Sequence, residues 1–450
     1  MSKNPDRRPE VIFVTHDQLS EQFDRRITDQ AEIFSSNGWS VFVVCSSNQG
    51  SIVKKGNLSL LGLKNEISKN ELTIFEDDLN RNNLEQNDTS VINPNELPRI
   101  QATLRSRVLI KVLRITPNGF KTIVKRNKVL SNVVWAITAQ TPLAIPLWLD
   151  QATKTYLQIR DSKPDLIVAC DLPAAIGVMP VAMKKGIFWW FDAHEIFTEQ
   201  IWVQNQGELD RLRELEKRVL IECTYFSCVN YSAAKHLLSS AGIDRESIVI
   251  TNALKLNERK QYFGRVDRIA DKKLKLIFHG GLDKNRSLFD FISSLLLCND
   301  SNWTIDLFGW DPDPRIMKLL SDSRIKLHDP ISTELIPELL HNFDCVVLPY
   351  KVIDVNTLYA MPNKLGDAVA MNLPVMYNVE LVEVDNLNKG LNFGASFAYL
   401  ETPAQTASSM ENALAKLRDL DTDWHKVESV LGYQSNEIEI NKLILKVTNA

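Results

Sequence analysis

Short apolar runs alternate with amphipathic helical stretches along most of the chain, and this alternation limits the possible folds more than any other feature. Strand-like runs at 165–169, 188–191 and 225–229 are separated by helical segments that end at Gly186 and Gly242. A second series of the same kind fills the C-terminal half. Such repeats place strands side by side in a parallel sheet with helices on both faces. We therefore predict an α/β fold of two Rossmann-like, doubly wound domains that face each other across a cleft.

The length of 450 residues also favours two domains, because one compact core rarely grows so large. We predict a first domain over residues 1–253 and a second domain over residues 262–425. A last apolar-periodic helix at 430–450 is expected to pack back on the first domain. The pattern weakens over residues 46–98, which we interpret as a loop or a poorly ordered insertion. Ligands of parallel sheets bind beyond the carboxyl ends of the strands, so the cleft is the expected site.

Charge and cysteine usage indicate the compartment. The formal net charge is −4, and six cysteines are scattered through apolar runs, as expected for reduced, buried thiols. The polar start over residues 1–10 does not resemble a signal peptide, and no apolar run reaches the ~18 residues of a spanning helix. We predict a cytoplasmic protein without a spanning helix, and nothing in the composition suggests nucleic acid as a partner.

Residues 97–149 differ from the rest of the chain in charge. They contain nine lysines and arginines and no aspartate or glutamate, interleaved with apolar side chains and accompanied by Trp135 and Trp148. Each cation near an anionic bilayer surface contributes roughly 1 kcal/mol to binding. We predict that this segment docks on an anionic membrane surface, which places the protein peripherally on the inner face of the cell membrane. A solvated amphipathic face of the first domain, or a subunit contact, is the alternative.

A predicted helix after Pro362 indicates a nucleotide site. The helix begins at Asn363, a residue suited to capping, and its free N–H groups attract anions. Lys364 lies in the first turn, where the helix dipole favours an acid, so a phosphate is expected there. Asp367 follows one turn later and suits the two hydroxyls of a ribose. The alternative is that these are ordinary surface and capping groups.

Two other cofactor classes find little support. The turn at 15–20, after the first strand, lacks the G-x-G-x-x-G pattern of a dinucleotide-binding domain. Asp311-Pro312-Asp313 imitates a D-x-D metal motif, but it lacks the required strand context. We expect no metal and no cofactor apart from a nucleotide co-substrate.

Five stretches, in order along the chain, together resemble the retaining glycosyltransferases of the GT-B fold, in the large family four that builds bacterial surface polysaccharides and glycolipids. They are Asp24-Arg25-Arg26-Ile27 with Gly38-Trp39-Ser40-Val41; Lys163-Pro164-Asp165 with Asp171-Leu172; Asp192-Ala193-His194-Glu195; Phe278-His279-Gly280-Gly281-Leu282 with Arg286-Ser287; and Pro349-Tyr350-Lys351 with 356–375.

The resemblance implies roles for particular residues. The implied catalytic residues are His194, Arg286 and Lys364; the implied donor-binding residues are Gly280, Gly281, Asn356, Asn363, Asp367 and His328; the candidates on the acceptor side are His16, Arg26 and Glu195. Three positions depart from the family pattern. Asp367 stands where the family has a ribose-binding glutamate, Gly281 stands where many members have arginine, and Tyr359 replaces the first acid of an E-x7-E motif.

These observations predict a transferase that moves a sugar, with retention, from a nucleotide-diphosphate sugar to a hydroxyl acceptor. The acceptor is expected to be lipid-linked or a polysaccharide. Fixed cations and a helix N-terminus would stabilise the leaving diphosphate without a metal ion. Two alternatives stay open: a sugar-nucleotide epimerase of the same fold, and a catalytically silent nucleotide-sugar-binding partner of a polysaccharide assembly.

Overall fold

The computed structural model describes residues 7–18, 25–46, 53–55, 58–62, 67–84, 146–200, 206–256 and 273–449. The described chain forms two sheets, one in each half of the sequence, with helices packed on their faces. We refer to the part built on the first sheet as the first domain and to the part built on the second sheet as the second domain.

The first domain contains an eight-stranded sheet in the order β3-β4-β2-β1-β5-β6-β7-β8, parallel except where β3 pairs with β4. Its strands are β1 (Glu10–Gln18), β2 (Ser40–Ser46), β3 (Val53–Lys55), β4 (Leu58–Gly62), β5 (Leu166–Cys170), β6 (Phe188–Ala193), β7 (Tyr225–Cys228) and β8 (Ile248–Val249). Its helices are α1 (Arg25–Ser36), α2 (Lys69–Leu84), α3 (Leu147–Ile159), α4 (Asp171–Lys185), α5 (Gln206–Glu222) and α6 (Tyr231–Ala241), and Phe197–Glu199 forms a 3₁₀ turn. Every residue of β5 is buried, as expected for a strand covered on both faces.

The second domain contains a six-stranded sheet in the order β11-β10-β9-β12-β13-β14, in which every described pair is parallel. Its strands are β9 (Leu274–Gly281), β10 (Trp303–Trp310), β11 (Ile325–His328), β12 (Cys345–Leu348), β13 (Val375–Asn378) and β14 (Gly394–Phe397). Its helices are α7 (Leu288–Leu295), α8 (Ile336–Leu340), α9 (Val355–Leu358), α10 (Asn363–Ala370), α11 (Val382–Leu391) and α12 (Pro403–Arg418), with 3₁₀ turns at Lys284–Arg286, Ile316–Ser321 and Thr333–Leu335.

Counted from β9, this sheet has the strand order 3-2-1-4-5-6 of a Rossmann domain, and the order reverses between β9 and β12. The first sheet reverses in the same way between β1 and β5. The topology confirms the predicted fold of two Rossmann-like, doubly wound domains. Ligands of such sheets bind beyond the strand ends at the point of reversal, which directs attention to the loops after β1, β6, β9 and β12.

The chain ends with two helices, α13 (Trp424–Leu431) and α14 (Tyr433–Asn449). The buried side chains of α14 recur at intervals of three and four residues, which places them on one helix face. They are Ile440, Leu443, Ile444 and Val447, and they share a core cluster with Val11, Phe13 and Phe34 of the first domain. The last helix therefore packs on the first domain after the chain has completed the second.

Local sequence signals explain several helix ends. Asn230 caps α6, because its side-chain oxygen accepts a hydrogen bond of 2.7 Å from the Ala233 N–H. Gly186 and Gly242 end α4 and α6 in the left-handed conformation, as their positions in the sequence predict.

The predicted loop at 46–98 is partly wrong, because this region contains β3, β4 and α2. Ser68 and Glu71 form a capping box at the start of α2, in which each side chain bonds the other residue's backbone N–H. Phe75 and Leu79 lie four residues apart and are fully buried. Asn70, Asp77 and Asn80 of α2 are exposed, so this helix has a polar solvent face beside a narrow apolar stripe.

Most of the predicted membrane-docking segment, residues 97–145, lies outside the described residues. Its last part forms the start of α3, where Trp148 is only 3% exposed and donates a hydrogen bond of 2.8 Å from its indole to Glu208. The interfacial role predicted for Trp148 was therefore wrong, since the side chain packs in the core. Within the described ranges, no helix is both long and apolar enough to cross a bilayer.

Candidate active site

A cleft of about 610 Å³ lies between the carboxyl ends of the two sheets and is lined by both domains. It brings together nine of the predicted site residues: His194, Glu195, Gly280, Gly281, Arg286, Asn356, Asn363, Lys364 and Asp367. Arg26 lines an adjoining recess of about 240 Å³. His16 and His328 are absent from the described lining of both spaces.

The last residues of β9 lie beneath a lysine. Gly280 has a φ of +109°, a conformation that favours glycine. A Cβ atom on Gly280 would lie 3.0 Å from Nζ of Lys364, so the ammonium group lies directly over this glycine. The absence of a side chain on Gly280 is what allows this close approach of the cation to the backbone.

Aromatic rings hold the two predicted cations. Nζ of Lys364 lies 4.6 Å from the ring centroid of Phe278 and 6.0 Å from that of Tyr350. The guanidinium carbon of Arg286 lies 6.0 Å from the same Tyr350 ring, and its Nε lies 3.4 Å from Asp283. Cation–π attraction at a partly desolvated site is worth roughly 0.5–2 kcal/mol. The second domain thus presents two oriented positive charges to one part of the cleft.

Helix α10 adds the N–H groups of its N-terminus, where the Leu365 N–H donates to the Pro362 carbonyl at 2.8 Å. The residue before the helix is Pro362, and no side chain caps this end. Asn363 is therefore the first helical residue and not the capping residue that the sequence predicted. The uncapped N–H groups and the helix dipole favour an anion at the same place as Lys364.

Asp367 is engaged by the first domain. Its side chain is 2% exposed, and Oδ1 accepts a hydrogen bond from Nη1 of Arg25, the first residue of α1. Oδ2 lies 3.5 Å from Nε2 of His279, which is 6% exposed. Burial lowers the pKa of His279 to about 4, so its ring is neutral near pH 7. The candidate ribose-binding carboxylate is thus paired with an arginine that sequence reasoning did not include in the site.

His194 lies above a buried ionic network at the end of β6. Its Nε2 lies 3.1 Å from Oδ2 of Asp192, which is fully buried. Burial and the charge of Arg26 oppose protonation, yet the pKa of His194 is raised well above its usual value, because the Asp171 and Asp192 carboxylates outweigh them. The raised pKa favours the imidazolium form of His194, in which both ring nitrogens are hydrogen-bond donors.

Asp192 is satisfied from several directions. Arg26 binds it with Nη2 and with Nε at 3.2 Å, Gln30 donates to it at 2.7 Å, and Ser227 donates to it at 2.5 Å. Burial opposes ionisation of Asp192, but Arg26 and His194 keep its pKa lowered. Arg26 was predicted to lie on the acceptor side. It instead forms most of its hydrogen bonds with Asp192, inside the first domain.

The remaining predicted site residues are Glu195, His16 and His328. Glu195 is exposed at the cleft and accepts a hydrogen bond from Gln200. His16 lies near the end of β1, and burial lowers its pKa to about 3. His328 stacks on Phe308 at 4.2 Å and lies 2.5 Å from Asp306 through Nε2. Since Phe308 lines the cleft, His328 supports its wall from behind.

Three hydrogen bonds from the first domain hold the segment that precedes α10. They run from the Ile196 N–H to the Asn356 side-chain oxygen at 2.8 Å, from Asn230 to the Tyr359 carbonyl at 2.7 Å, and from Asn252 to the Met361 carbonyl at 2.7 Å. Asn356, predicted to touch the donor sugar, thus uses its carbonyl oxygen for an interdomain contact. No group of three or more His, Cys, Asp or Glu side chains in the described ranges is arranged to hold a metal ion.

Comparison with known proteins shows the fold. No protein-family model and no curated protein sequence matches the chain. Among solved structures, it is similar to sucrose-phosphate synthase from Thermosynechococcus elongatus, with 11% identity, a TM-score of 0.57 and coverage of 98% of this chain and 100% of that one. It is also similar to the Anabaena protein HepE in complex with UDP and glucose, with 12% identity and a TM-score of 0.55. That likeness covers 98% of this chain and 100% of HepE.

The lipopolysaccharide outer core galactosyltransferase WaaB, in its apo form, is similar over 97% of this chain and 99% of its own, with 10% identity and a TM-score of 0.54. These likenesses extend over both domains. The two facing Rossmann-like domains therefore form the GT-B fold of glycosyltransferases. Identities this low establish the fold only, because one fold can host different activities; the activity is therefore inferred from the residues of the site.

Proposed function

We propose that the protein is a retaining glycosyltransferase similar to family four, which transfers a sugar from a nucleoside-diphosphate sugar to a hydroxyl acceptor. The observation that carries the proposal is the position of Lys364 over Gly280 at the end of β9. Arg286 lies near the same Tyr350 ring, and Lys364 itself belongs to the first turn of α10. The bound UDP and glucose of HepE, a neighbour with the same fold, support this assignment.

In this proposal the second domain binds the leaving group. Negative charge grows on the diphosphate as its bond to the sugar breaks, and fixed donors in a closed cleft stabilise that charge without reorganising. Lys364 and Arg286 supply the charge, while Gly280 allows the backbone to approach. We expect no metal requirement, so transfer should continue in excess EDTA. Loss of activity in EDTA, restored by a divalent cation, would contradict this part.

The first domain would position the acceptor. His194, as an imidazolium, donates a hydrogen bond to a sugar or acceptor oxygen near the reacting carbon. In a retaining reaction the acceptor enters on the face that the phosphate leaves, and a phosphate oxygen takes the acceptor proton. No pair of catalytic carboxylates is then required. Analysis of the product anomer by NMR tests retention directly.

A panel of UDP-, GDP- and TDP-sugars, screened by thermal shift and then by mass spectrometry of products, tests the activity. Transfer to an acceptor, or slow hydrolysis of one donor, is the expected result. An isomerised nucleotide sugar would indicate the epimerase alternative. Donor binding without any turnover would indicate a silent binding subunit.

We further propose a lipid-linked or polysaccharide acceptor at the inner face of the cell membrane, reached through residues 97–145 of the predicted docking segment. The support is the charge of this segment, with nine cations and no acids. Sedimentation with vesicles of phosphatidylcholine alone, or mixed with phosphatidylglycerol, tests the proposal. Anionic vesicles should retain the protein and neutral ones should not. Equal retention by both would exclude electrostatic docking.

A further inference from the structure

We propose that Arg25 is a positioning residue of the nucleotide site: from the first domain it occupies the Asp367 carboxylate, and a ribose must displace it to bind there. The inference rests on the proposed function, because it assumes that a nucleotide enters this cleft. It adds a residue of the other domain to the donor site, and it makes nucleotide binding compete with an interdomain ion pair.

The carboxylate has little free surface in the present arrangement. Asp367 is 2% exposed, with Arg25 on one oxygen and His279 at 3.5 Å from the other. A ribose needs carboxylate oxygens as acceptors for its two hydroxyls. Since the Arg25 guanidinium already holds Oδ1 of this almost fully buried carboxylate, a ribose and the guanidinium cannot both have full access to it.

Helix α10 cannot easily withdraw Asp367 from this contact. A Cβ atom on Gly366 would lie 1.9 Å from the Asn252 carbonyl oxygen, so the helix backbone packs directly against the first domain there. The same Asn252 carbonyl accepts a hydrogen bond of 2.9 Å from Arg25. The part that can move is the Arg25 side chain, which also lines the adjoining recess together with Asp171 and Glu195. That recess also contains Arg26 and His194, so its two carboxylates lie beside two other cationic side chains.

His279 supplies an independent sign that a ligand group belongs here. Its ring is more than nine-tenths buried and lines the cleft, and its Nε2 forms no hydrogen bond with any described residue. A buried polar atom without a partner costs free energy, and a ligand hydroxyl would satisfy it. The ring therefore suits a ribose hydroxyl that reaches Asp367 once Arg25 has turned away.

Nucleosides are the sharpest probe, because they have no phosphate whose affinity would fall with the loss of any cation. Uridine, guanosine and adenosine are titrated by NMR into the full chain and into Arg25→Ala, Asp367→Ala and the double variant. We expect Arg25→Ala to tighten binding of the preferred nucleoside about tenfold, which corresponds to about 1.4 kcal/mol. Asp367→Ala should weaken binding about tenfold, and adding Arg25→Ala to it should then change nothing.

Lys255→Ala is the matched control. It removes the same charge near the interdomain linker, where Lys255 pairs with Glu32 at 2.7 Å, and should leave nucleoside affinity unchanged. For the 2′-deoxynucleoside, which lacks one of the two ribose hydroxyls, Arg25→Ala should increase the affinity much less than it does for the nucleoside. If Arg25→Ala does not fold, Arg25→Lys replaces it, since lysine cannot hold Asp367 and Asn252 with a planar fork; the same direction of change is expected.

The outcomes separate the two claims. If Asp367→Ala weakens nucleoside binding but Arg25→Ala weakens it too, or leaves it unchanged, the inference is overturned and the proposed function stands. If neither the nucleosides nor UDP, GDP, TDP and ADP bind the unaltered chain, the proposed function fails and the inference fails with it.

Discussion

Lys364 and Arg286 approach the same aromatic ring, that of Tyr350, from two different elements. The ring is 8% exposed, so it offers both cations a rigid face. The Arg286 side chain is 48% exposed, and its Nε lies 3.4 Å from Asp283. A cation that already has such contacts loses less side-chain entropy when it binds an anion. We expect this pair of cations to contribute most to the diphosphate binding proposed above.

Replacing Lys364 with alanine should weaken binding of UDP, or of the preferred nucleoside diphosphate, by roughly 10- to 100-fold. A charge-assisted hydrogen bond contributes about 1.5–3 kcal/mol, which corresponds to that range. Titration calorimetry on folded variants provides the measurement. Lys389→Ala is the control, because Lys389 is 70% exposed on α11 and pairs only with Asp385 among the described residues. Equal losses in both variants would mean that net charge, and not the site, governs affinity.

The raised pKa of His194 predicts a pH-dependent contribution to stability. Because the folded pKa exceeds the unfolded value of about 6.5, the contribution is complete below about pH 6.5 and disappears as the pH rises through the folded pKa. The difference in free energy of unfolding between the native chain and His194→Gln should therefore be larger at about pH 6 than at strongly alkaline pH.

Urea denaturation at several pH values measures that difference. His425→Gln is the control, since His425 is exposed and should show a small difference at every pH. A difference for His194→Gln that grows with pH would contradict the assignment of a charged imidazole beside Asp192.

Lys364 could be predicted from a local signal, a lysine in the first turn of a predicted helix, whereas Gly280 and Arg286 were predicted from the family resemblance. Arg25 had no such signal as a site residue. It meets Asp367 across 342 positions of sequence, and only the docking of the two domains brings them together. Its neighbour Arg26 was assigned to the acceptor side, whereas the buried Asp192 binds it inside the first domain.

Among the elements, α2 shows where pattern reasoning fails. The repeated strand and helix units on both sides of the cleft were recognisable because their apolar runs are continuous. The apolar stripe of α2 has few residues, and its solvent face resembles a disordered acidic segment in composition. The helix exists because Phe75 and Leu79 complete the core against α3, where Phe75 packs on Tyr156 with ring centroids 5.4 Å apart.

Phe75→Ala should therefore lower the free energy of unfolding by about 3–5 kcal/mol, through lost burial and the cavity left behind. Ile74→Ala makes a comparable truncation on the same helix, where the side chain is 45% exposed, and should cost less than about 1 kcal/mol. Urea denaturation of both variants provides the measurement. Similar small losses for both would indicate that α2 contributes little to the folded core.

At the scale of the whole molecule, the chain passes between the domains twice. The first passage follows β8, and the second leads from α12 through α13 to α14. Thr251 and Asn436 join them: the Thr251 N–H donates to the Asn436 side chain at 2.9 Å, and the Asn436 amide donates to the Thr251 carbonyl at 2.9 Å. Both residues are 6% exposed.

Asn436→Ala should lower the free energy of unfolding by about 2–5 kcal/mol, since it leaves a buried N–H and a buried carbonyl unpaired at roughly 1–3 kcal/mol each. Thermal or urea denaturation measures the loss. Asn441→Ala removes an exposed hydrogen bond with Asn37 and should lower the free energy of unfolding by only about 0.5 kcal/mol. Comparable effects at the two positions would show that the reciprocal pair is unimportant.

The Thr251–Asn436 pair also bears on when the first domain is complete. Asn436 belongs to α14, whose apolar face fills the core of the first domain. That core therefore stays unfinished until the ribosome has made the whole second domain and the last helix.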